Sequence, residues 1–257
     1  MRLTIVQTAL LWENPAANRA ALAQTLAPLA GHTDLVVLPE MFTTGFSMNA
    51  AALAEDMDGA TVQWLREQAR RLGSAVTGSF ICRDGVHYRN RLVFMRPDGQ
   101  FHHYDKRHLF GLAGENDVYS AGTQRPIVEW TGWRICPLVC YDLRFPVWSR
   151  QNSAQPYDLL LYVANWPARR GHHWRSLLPA RAIENQCCVA AVNIVGTDGN
   201  GHEYQGDSGV WDHSGQPLCQ ISGQAAGTFT ATLRLDDLQT YRRQLPFLSD
   251  ADAFSLV

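Results

Sequence analysis

The stretch from Asp34 to Glu40, "DLVVLPE", is apolar without alternation, which suits a strand buried on both faces. Such a strand needs cover above and below, and that demand governs how the rest of the chain is read. Upstream, "RLTIVQTAL" alternates as a strand, and "NPAANRAALAQTLAPLAGH" carries apolar residues at helical spacing, with Asn14 as a cap before Pro15. Downstream, the spacing predicts a helix at "ATVQWLREQARRLG", stopped by Gly73, and then a strand at "SAVTGSF". Two β-rich stretches, "HYRNRLVFMRPDG" and "QFHHYDK", meet at the turn residues Pro97, Asp98 and Gly99 and predict a hairpin.

After the irregular loop "LFGLAGENDVYSAGTQRP" the pattern gives strand "RICPLVC", a helix near "RFPVWSRQN", strand "DLLLYVAN" and a long helix "HHWRSLLPARAIENQC". Strands "CVAAVNIVG", "YQGDSGVWDHSGQPLCQI" and "GTFTATLRL" close the chain, with a second hairpin at Ser214 and Gly215. No linker, repeat or low-complexity segment interrupts the 257 residues, a length that sustains one large core. The expectation is one α/β domain over residues 1–257, with helices covering one face of each of two mixed sheets that pack together.

Charge narrows the partners. Lysine and arginine number 22 against 24 acidic residues, for a net charge of −2, and the basic residues never run in blocks. That excludes the footprint of a nucleic-acid or anionic-membrane binder. No apolar stretch approaches the roughly 20 residues that cross a bilayer. "MRLTIVQTALLW" is interrupted by Gln7 and followed by a polar helix where a leader would carry a cleavage site, so a cytoplasmic protein is expected. Cys82, Cys136, Cys140, Cys187, Cys188 and Cys219 show no repeated metal-ligand spacing, which predicts reduced thiols. The pairs His102/His103 and His172/His173 are adjacent in sequence, so their side chains diverge on a strand or a helix and neither pair chelates alone. No metal and no cofactor are expected.

Three apolar strands end in side chains that chemistry can use: Glu40, Lys106 and Cys140. If those strands lie side by side, a carboxylate, an ammonium and a thiol converge at the carboxyl edge of a sheet as base, electrophilic stabiliser and nucleophile. Each residue also has a plainer reading: Glu40 as a backbone cap, Lys106 as a solvated charge beside Arg107, and Cys140 as a small buried hydrophobe. Joint occurrence at three strand ends favours one site.

"LPEMFTTGF", "YDKRHLF" and "VCYDLRFPVW", in this order and separation, resemble the three signature blocks of the nitrilase superfamily of carbon–nitrogen hydrolases. The resemblance runs from "LTIVQTAL" to "GTFTATLRL". It implies a four-layer α-β-β-α sandwich, a homodimer or higher homo-oligomer, no cofactor, and a Glu, Lys, Cys triad on Glu40, Lys106 and Cys140. It implies a second catalytic carboxylate, which falls on Glu115 in "GENDVYSAG".

A free thiol ionises near pH 8.5 and burial makes it less reactive, so Cys140 is expected to draw on the Lys106 charge to stabilise its thiolate. The oxyanion would be held by Lys106 and the Tyr141 backbone N–H. Glu40 would carry the proton in both half-reactions.

The residues after the nucleophile, "CYDLRFP", differ from the Cys-Trp-Glu usual in true nitrilases and lack the Arg-His pair common in carbamoylases. They look most like the omega-amidase branch, which hydrolyses the terminal amide of 2-oxoglutaramate and 2-oxosuccinamate. Arg144 matches the branch position associated with the substrate carboxylate, a contact a guanidinium makes bidentately. "VANWPARRGHHW" departs from the branch pattern of eukaryotic members, and Arg169 or Arg170 is expected to share the anion-binding work. Phe42, Phe46, Tyr119 and Trp166 are candidate walls of a small pocket, although core packing is the commoner fate of each. Two readings compete: an amidase or N-carbamoylase for another small carboxylate-bearing amide, and a catalytically silent binding or scaffold protein. The complete Glu40, Lys106, Glu115, Cys140 set argues against the second.

Overall fold

The computed structural model describes residues 1–151, 155–221 and 223–252. In chain order the first half runs β1 (Arg2–Gln7), α1 (Pro15–Leu26), β2 (Leu35–Val37), α2 (Ala50–Leu53), α3 (Ala60–Leu72), β3 (Ala75–Asp84), β4 (His87–Met95), β5 (Phe101–Asp105) and α4 (Glu115–Val118). Then come β6 (Val128–Trp130), β7 (Trp133–Val139), α5 (Pro146–Ser149), β8 (Leu159–Val163), α6 (Gly171–Asn185) and β9 (Cys188–Val192). The chain continues through β10 (Val195–Thr197), β11 (Glu203–Gln205), β12 (Gly209–Trp211), β13 (Pro217–Gln220), β14 (Gly227–Thr232) and α7 (Leu235–Gln244).

Two six-stranded mixed sheets result, ordered β14-β1-β2-β3-β4-β5 and β13-β12-β9-β8-β7-β6, beside a two-stranded β10-β11 ribbon. Alternation decides which face each residue serves. Leu3, Ile5, Leu35 and Val37 point to the core shared with the second sheet, where Ile135, Leu159, Leu161 and Val163 sit. Val6 and Val36 point the other way, beneath Leu22 and Leu26 of α1 and Val62, Leu65 and Ala69 of α3. Trp174, Leu178 and Ala182 of α6 join the core cluster of the second sheet. The four layers are therefore helix, sheet, sheet, helix, the expected α-β-β-α sandwich. Among the described residues no helix is long and apolar enough to cross a membrane.

Local signals behave as their chemistry requires. Gly73 caps α3 at φ 66°, and the Pro97–Gly99 turn brings Met95 opposite Phe101. The helix expected near "RFPVWSRQN" is only the four residues of α5, preceded by a 3-10 turn over Cys140–Arg144; Asn152, at the end of that stretch, lies outside the described residues. The stretch "CVAAVNIVG" is split into β9 and β10, because Asn193 turns its side chain onto Trp166 and Gly206 backbone atoms. Neither β6 nor α7 is in the sequence reading. Of α7, only Leu238 is buried, so no apolar stripe announces it.

The strand ends carrying Glu40, Lys106 and Cys140 do not lie side by side, which corrects the single-sheet picture. β2 and β5 are in one sheet with β3 and β4 between them, and β7 is in the other. The three converge because β5 pairs antiparallel to β4, and β4 antiparallel to β3, so β5 runs the same way as β2. Sheet stacking then brings the end of β7 to the same edge.

Candidate active site

Glu40 follows β2 on a short extension tied to β3. Leu38 N–H donates to Thr77 O at 2.7 Å, Phe42 N–H to Ser79 O at 3.0 Å, and Met41 N–H to Ser79 Oγ at 2.9 Å. Met41 adopts φ 42°, and that tight bend turns the chain after Glu40. Lys106 follows β5 directly; its N–H donates to Asn90 O at 3.0 Å and its carbonyl accepts from Gly122 N–H at 2.9 Å. Glu115 opens α4, and its carboxylate accepts from Phe110 N–H at 2.5 Å.

These three side chains are fully buried and bonded to one another. Lys106 Nζ donates to Glu40 Oε1 at 2.9 Å and to Glu115 Oε1 and Oε2 at 3.0 and 2.9 Å. Asn90 Nδ2 donates to both carboxylates, at 2.8 Å to Glu40 and 3.2 Å to Glu115. Glu40 Oε2 accepts from Asn165 N–H at 2.8 Å. Burial opposes the Lys106 charge, but Glu115 and Glu40 outweigh it and hold the ammonium above its ordinary range. Burial and the Glu40 charge raise Glu115, with Lys106 pulling the other way.

Cys140 is the first residue after β7 and sits at φ 45°, a left-handed conformation that costs a non-glycine residue strain. The bend starts the Cys140–Arg144 turn, and Asp142 fixes it. The buried Asp142 carboxylate accepts from Val139 N–H at 3.0 Å, His108 N–H at 3.0 Å and Tyr104 O–H at 2.7 Å, with His108 Nδ1 at 2.8 Å. Tyr141 stands at the second position of the turn, too early for its N–H to have an intrahelical acceptor.

Burial pushes the Cys140 thiol well above its ordinary range; Glu40 adds to this by charge and hydrogen bond, and Lys106 opposes it. Lys106, which faces two carboxylates, is thus the group here that favours the thiolate.

Cys140, Lys106 and Asn165 line a cavity of about 200 Å³ together with Phe46, Phe110, Tyr141, Arg144, Trp166, Arg169, Arg170 and Tyr204. Lys106 Nζ lies 5.1 Å from the Phe46 ring centroid. Arg144 stacks over Trp166 at 4.7 Å and touches His173 Nδ1 at 3.0 Å, and Arg170 stacks over Phe110 at 5.0 Å. Among the described residues none of the three cavity arginines is paired with a carboxylate. Burial together with the charges of Arg169 and Arg144 presses Arg170 below its ordinary value, a sign that the cations crowd one another.

Of the residues marked in the sequence, Tyr119 does not line this cavity. It is buried with its hydroxyl donating to Ser47 O at 2.5 Å, so it braces the loop that carries Phe46. Phe42 packs in the core between the first sheet and α3. Asn90 and Asn165 were missed; a lone asparagine in a strand or at its end gives no signal until the partner carboxylate is placed. Among the described residues no group of three or more His, Cys, Asp or Glu side chains is placed to hold a metal ion.

A thiol, a carboxylate beside it and a buried ammonium are the group types that acyl transfer through a covalent intermediate calls for. A model of the carbon–nitrogen hydrolase family matches residues 2–243, and the chain belongs to that family. Omega-amidase YafV of Yersinia enterocolitica is 48% identical over 259 residues, which cover 100% of this chain and 99% of that protein. A 2-oxoglutaramate amidase of Bacillus subtilis is 36% identical over 222 residues, 85% of each chain. The crystal structure of XC1258 from Xanthomonas campestris, a CN-hydrolase superfamily protein with an arsenic adduct in its active site, is 49% identical. It superposes with a TM-score of 0.98 over 100% of this chain and 99% of its own.

Proposed function

We propose that this protein is an omega-amidase: it hydrolyses the terminal amide of 2-oxoglutaramate and 2-oxosuccinamate, releasing ammonia and a dicarboxylic 2-oxo acid. The observation that carries the reading is the charge layout of the cavity. Cys140 and Lys106, the latter bonded to Glu40, line the same cavity as Arg144, Arg169 and Arg170, and among the described residues none of these guanidinium groups has a carboxylate partner. A small amide with a carboxylate at its far end suits both. The 48% and 36% identical relatives bear names of the same activity.

In the first half-reaction Cys140 Sγ bonds to the amide carbon as Glu40 takes the thiol proton. The carbonyl electron pair moves onto oxygen, where Lys106 Nζ and Tyr141 N–H stabilise it. Collapse of the intermediate breaks the carbon–nitrogen bond, the nitrogen takes the proton from Glu40, and ammonia leaves a thioester. In the second half-reaction Glu40 takes a proton from water as its oxygen adds to the thioester carbon. The carbon–sulfur bond then breaks, the proton returns to Sγ, and the acid departs. Glu115 keeps Lys106 charged and aimed, and Arg144 holds the substrate carboxylate with Arg169 and Arg170 beside it. Phe46 and Trp166 wall the acyl chain.

Residues 1–257 form a single catalytic domain in this reading. A cytoplasmic location fits the six free cysteines. A homodimer or higher homo-oligomer follows from the family resemblance, and light scattering measures it. The activity is tested by ammonia release from 2-oxoglutaramate and 2-oxosuccinamate beside glutamine, a simple aliphatic amide, an N-carbamoyl amino acid and a nitrile. Turnover confined to the 2-oxo amides supports the reading. Preference for another of these substrates replaces it.

A further inference from the structure

Asn165 stands two residues beyond β8 and is locked to Glu40 twice. Its backbone N–H donates to Glu40 Oε2 at 2.8 Å, and its Nδ2 donates to the Glu40 carbonyl oxygen at 2.7 Å. The second bond fixes the side-chain amide, since only the NH2 end can face a carbonyl oxygen. The Oδ1 end is therefore defined, and it is buried with no donor among the described residues. Asn165 is 3% exposed and lines the cavity with Cys140 and Lys106. Asn90, the other asparagine on Glu40, also has an unpartnered Oδ1, but Asn90 does not line the cavity.

A buried carbonyl oxygen without a donor is unfavourable, and at a cavity wall the missing donor can come from the ligand. The neighbouring groups sort the ligand atoms. Lys106 Nζ and Tyr141 N–H are donors and suit the carbonyl oxygen, whereas Glu40 and Asn165 Oδ1 are acceptors on the opposite count. We infer that Asn165 Oδ1 accepts a hydrogen bond from the NH2 group of the scissile amide, and that this contact makes the site select primary amides over esters. An ester offers a lone pair at the same place, where it would face the Asn165 oxygen. As the carbon–nitrogen bond breaks, the nitrogen gains the proton carried by Glu40 and leaves as ammonia, with Asn165 Oδ1 still accepting one of its N–H bonds. Asn165 thus aims the leaving nitrogen toward Glu40.

The inference rests on the amidase reading only in requiring an amide at Cys140; it makes no use of the substrate's acid end. The test compares kcat/KM for a primary amide with that for the methyl ester of the same acyl chain, using whichever amide the wild-type protein turns over fastest. Failure on the 2-oxo amides alone would thus remove the substrate reading and leave this comparison intact. The Asn165→Leu protein keeps the backbone N–H to Glu40 Oε2 and loses both Oδ1 and the Nδ2 bond to the Glu40 carbonyl oxygen. Its amide-to-ester ratio is expected to fall by about tenfold or more, as for a site that loses a built hydrogen-bond partner. A purely structural role through Glu40 would slow amide and ester alike, and an unchanged ratio overturns the inference. A second measurement does not depend on that variant folding: calorimetric binding to Cys140→Ala protein of the same amide and ester. Tighter binding of the amide by about tenfold is expected, and equal affinity overturns the inference.

Discussion

Lys106 Nζ lies 2.9 Å from Glu40 Oε1 and 2.9 Å from Glu115 Oε2, with all three side chains closed off from solvent. One buried ammonium is held between two carboxylates, and Glu115 is raised by burial and by the neighbouring Glu40 charge. Beside this cluster, burial and Glu40 push the Cys140 thiol up and Lys106 opposes them, and in the proposed mechanism Glu40 takes the thiol proton at attack.

Glu115→Gln removes one of the two charges that hold Lys106 protonated and aimed. We expect kcat to fall by about 10²-fold, within the range for disturbed acid–base and electrostatic groups. KM should change little, because the Glu115 carboxylate faces Lys106 and not the arginines. Steady-state ammonia release, with circular dichroism as the check on folding, measures both.

Arg144→Ala separates anion binding from chemistry. Losing a hydrogen bond to a charged group costs about 1.5 to 3 kcal/mol, so KM for a carboxylate-bearing amide should rise about tenfold or more. A neutral aliphatic amide should be hydrolysed with unchanged kcat/KM. Equal effects on both substrates would remove Arg144 from anion binding.

Tyr104 ties the lysine block to the nucleophile turn. Its hydroxyl donates to Asp142 Oδ2 at 2.7 Å and accepts from Arg107 N–H at 3.1 Å and Trp148 Nε1–H at 3.0 Å. Tyr104→Phe takes the acceptor from Trp148 Nε1–H and Arg107 N–H, while Asp142 Oδ2 keeps the Val139 N–H, at a cost of about 1 to 3 kcal/mol. Thermal unfolding should shift down by several degrees, at roughly 2 to 4 °C per kcal/mol for a chain of this size.

Buried thiols set an alkaline limit on stability. Burial pushes Cys82 up to about 11, and Cys136 and Cys188 up to about 12, from the 9.0 of an unperturbed thiol. Above pH 9 the unfolded chain has lost these protons while the folded chain keeps them, so each step up in pH favours unfolding. The urea midpoint should fall between pH 9 and 11, and less steeply in a Cys136→Val protein. A midpoint flat over that window would contradict the burial of these thiols.

How far the sequence reaches can be seen residue by residue. Glu40 and Cys140 were legible because each follows an apolar strand, whereas the strand before Lys106, "FHHYD", buries only Tyr104 and is not the apolar strand expected. That they come from two sheets was not legible, since sheet membership depends on pairing between distant segments. Asn90 and Asn165 were silent for the same reason, because each is defined by a bond to Glu40. The helix α7 did leave a trace, with Asp236 and Asp237 in its first turn and Arg242 and Arg243 in its last, the charge order a helix dipole favours. Tyr119 is one of the aromatic residues expected to wall the pocket, but the bend at Gly114 and α4 takes it to Ser47.

Attack of Cys140 on the amide of a 2-oxo acid is measured by ammonia release from 2-oxoglutaramate, run with the wild-type protein and with Cys140→Ala at matched concentration. The account predicts turnover by the wild type and none above the uncatalysed background by the variant. Undiminished turnover by Cys140→Ala would contradict it.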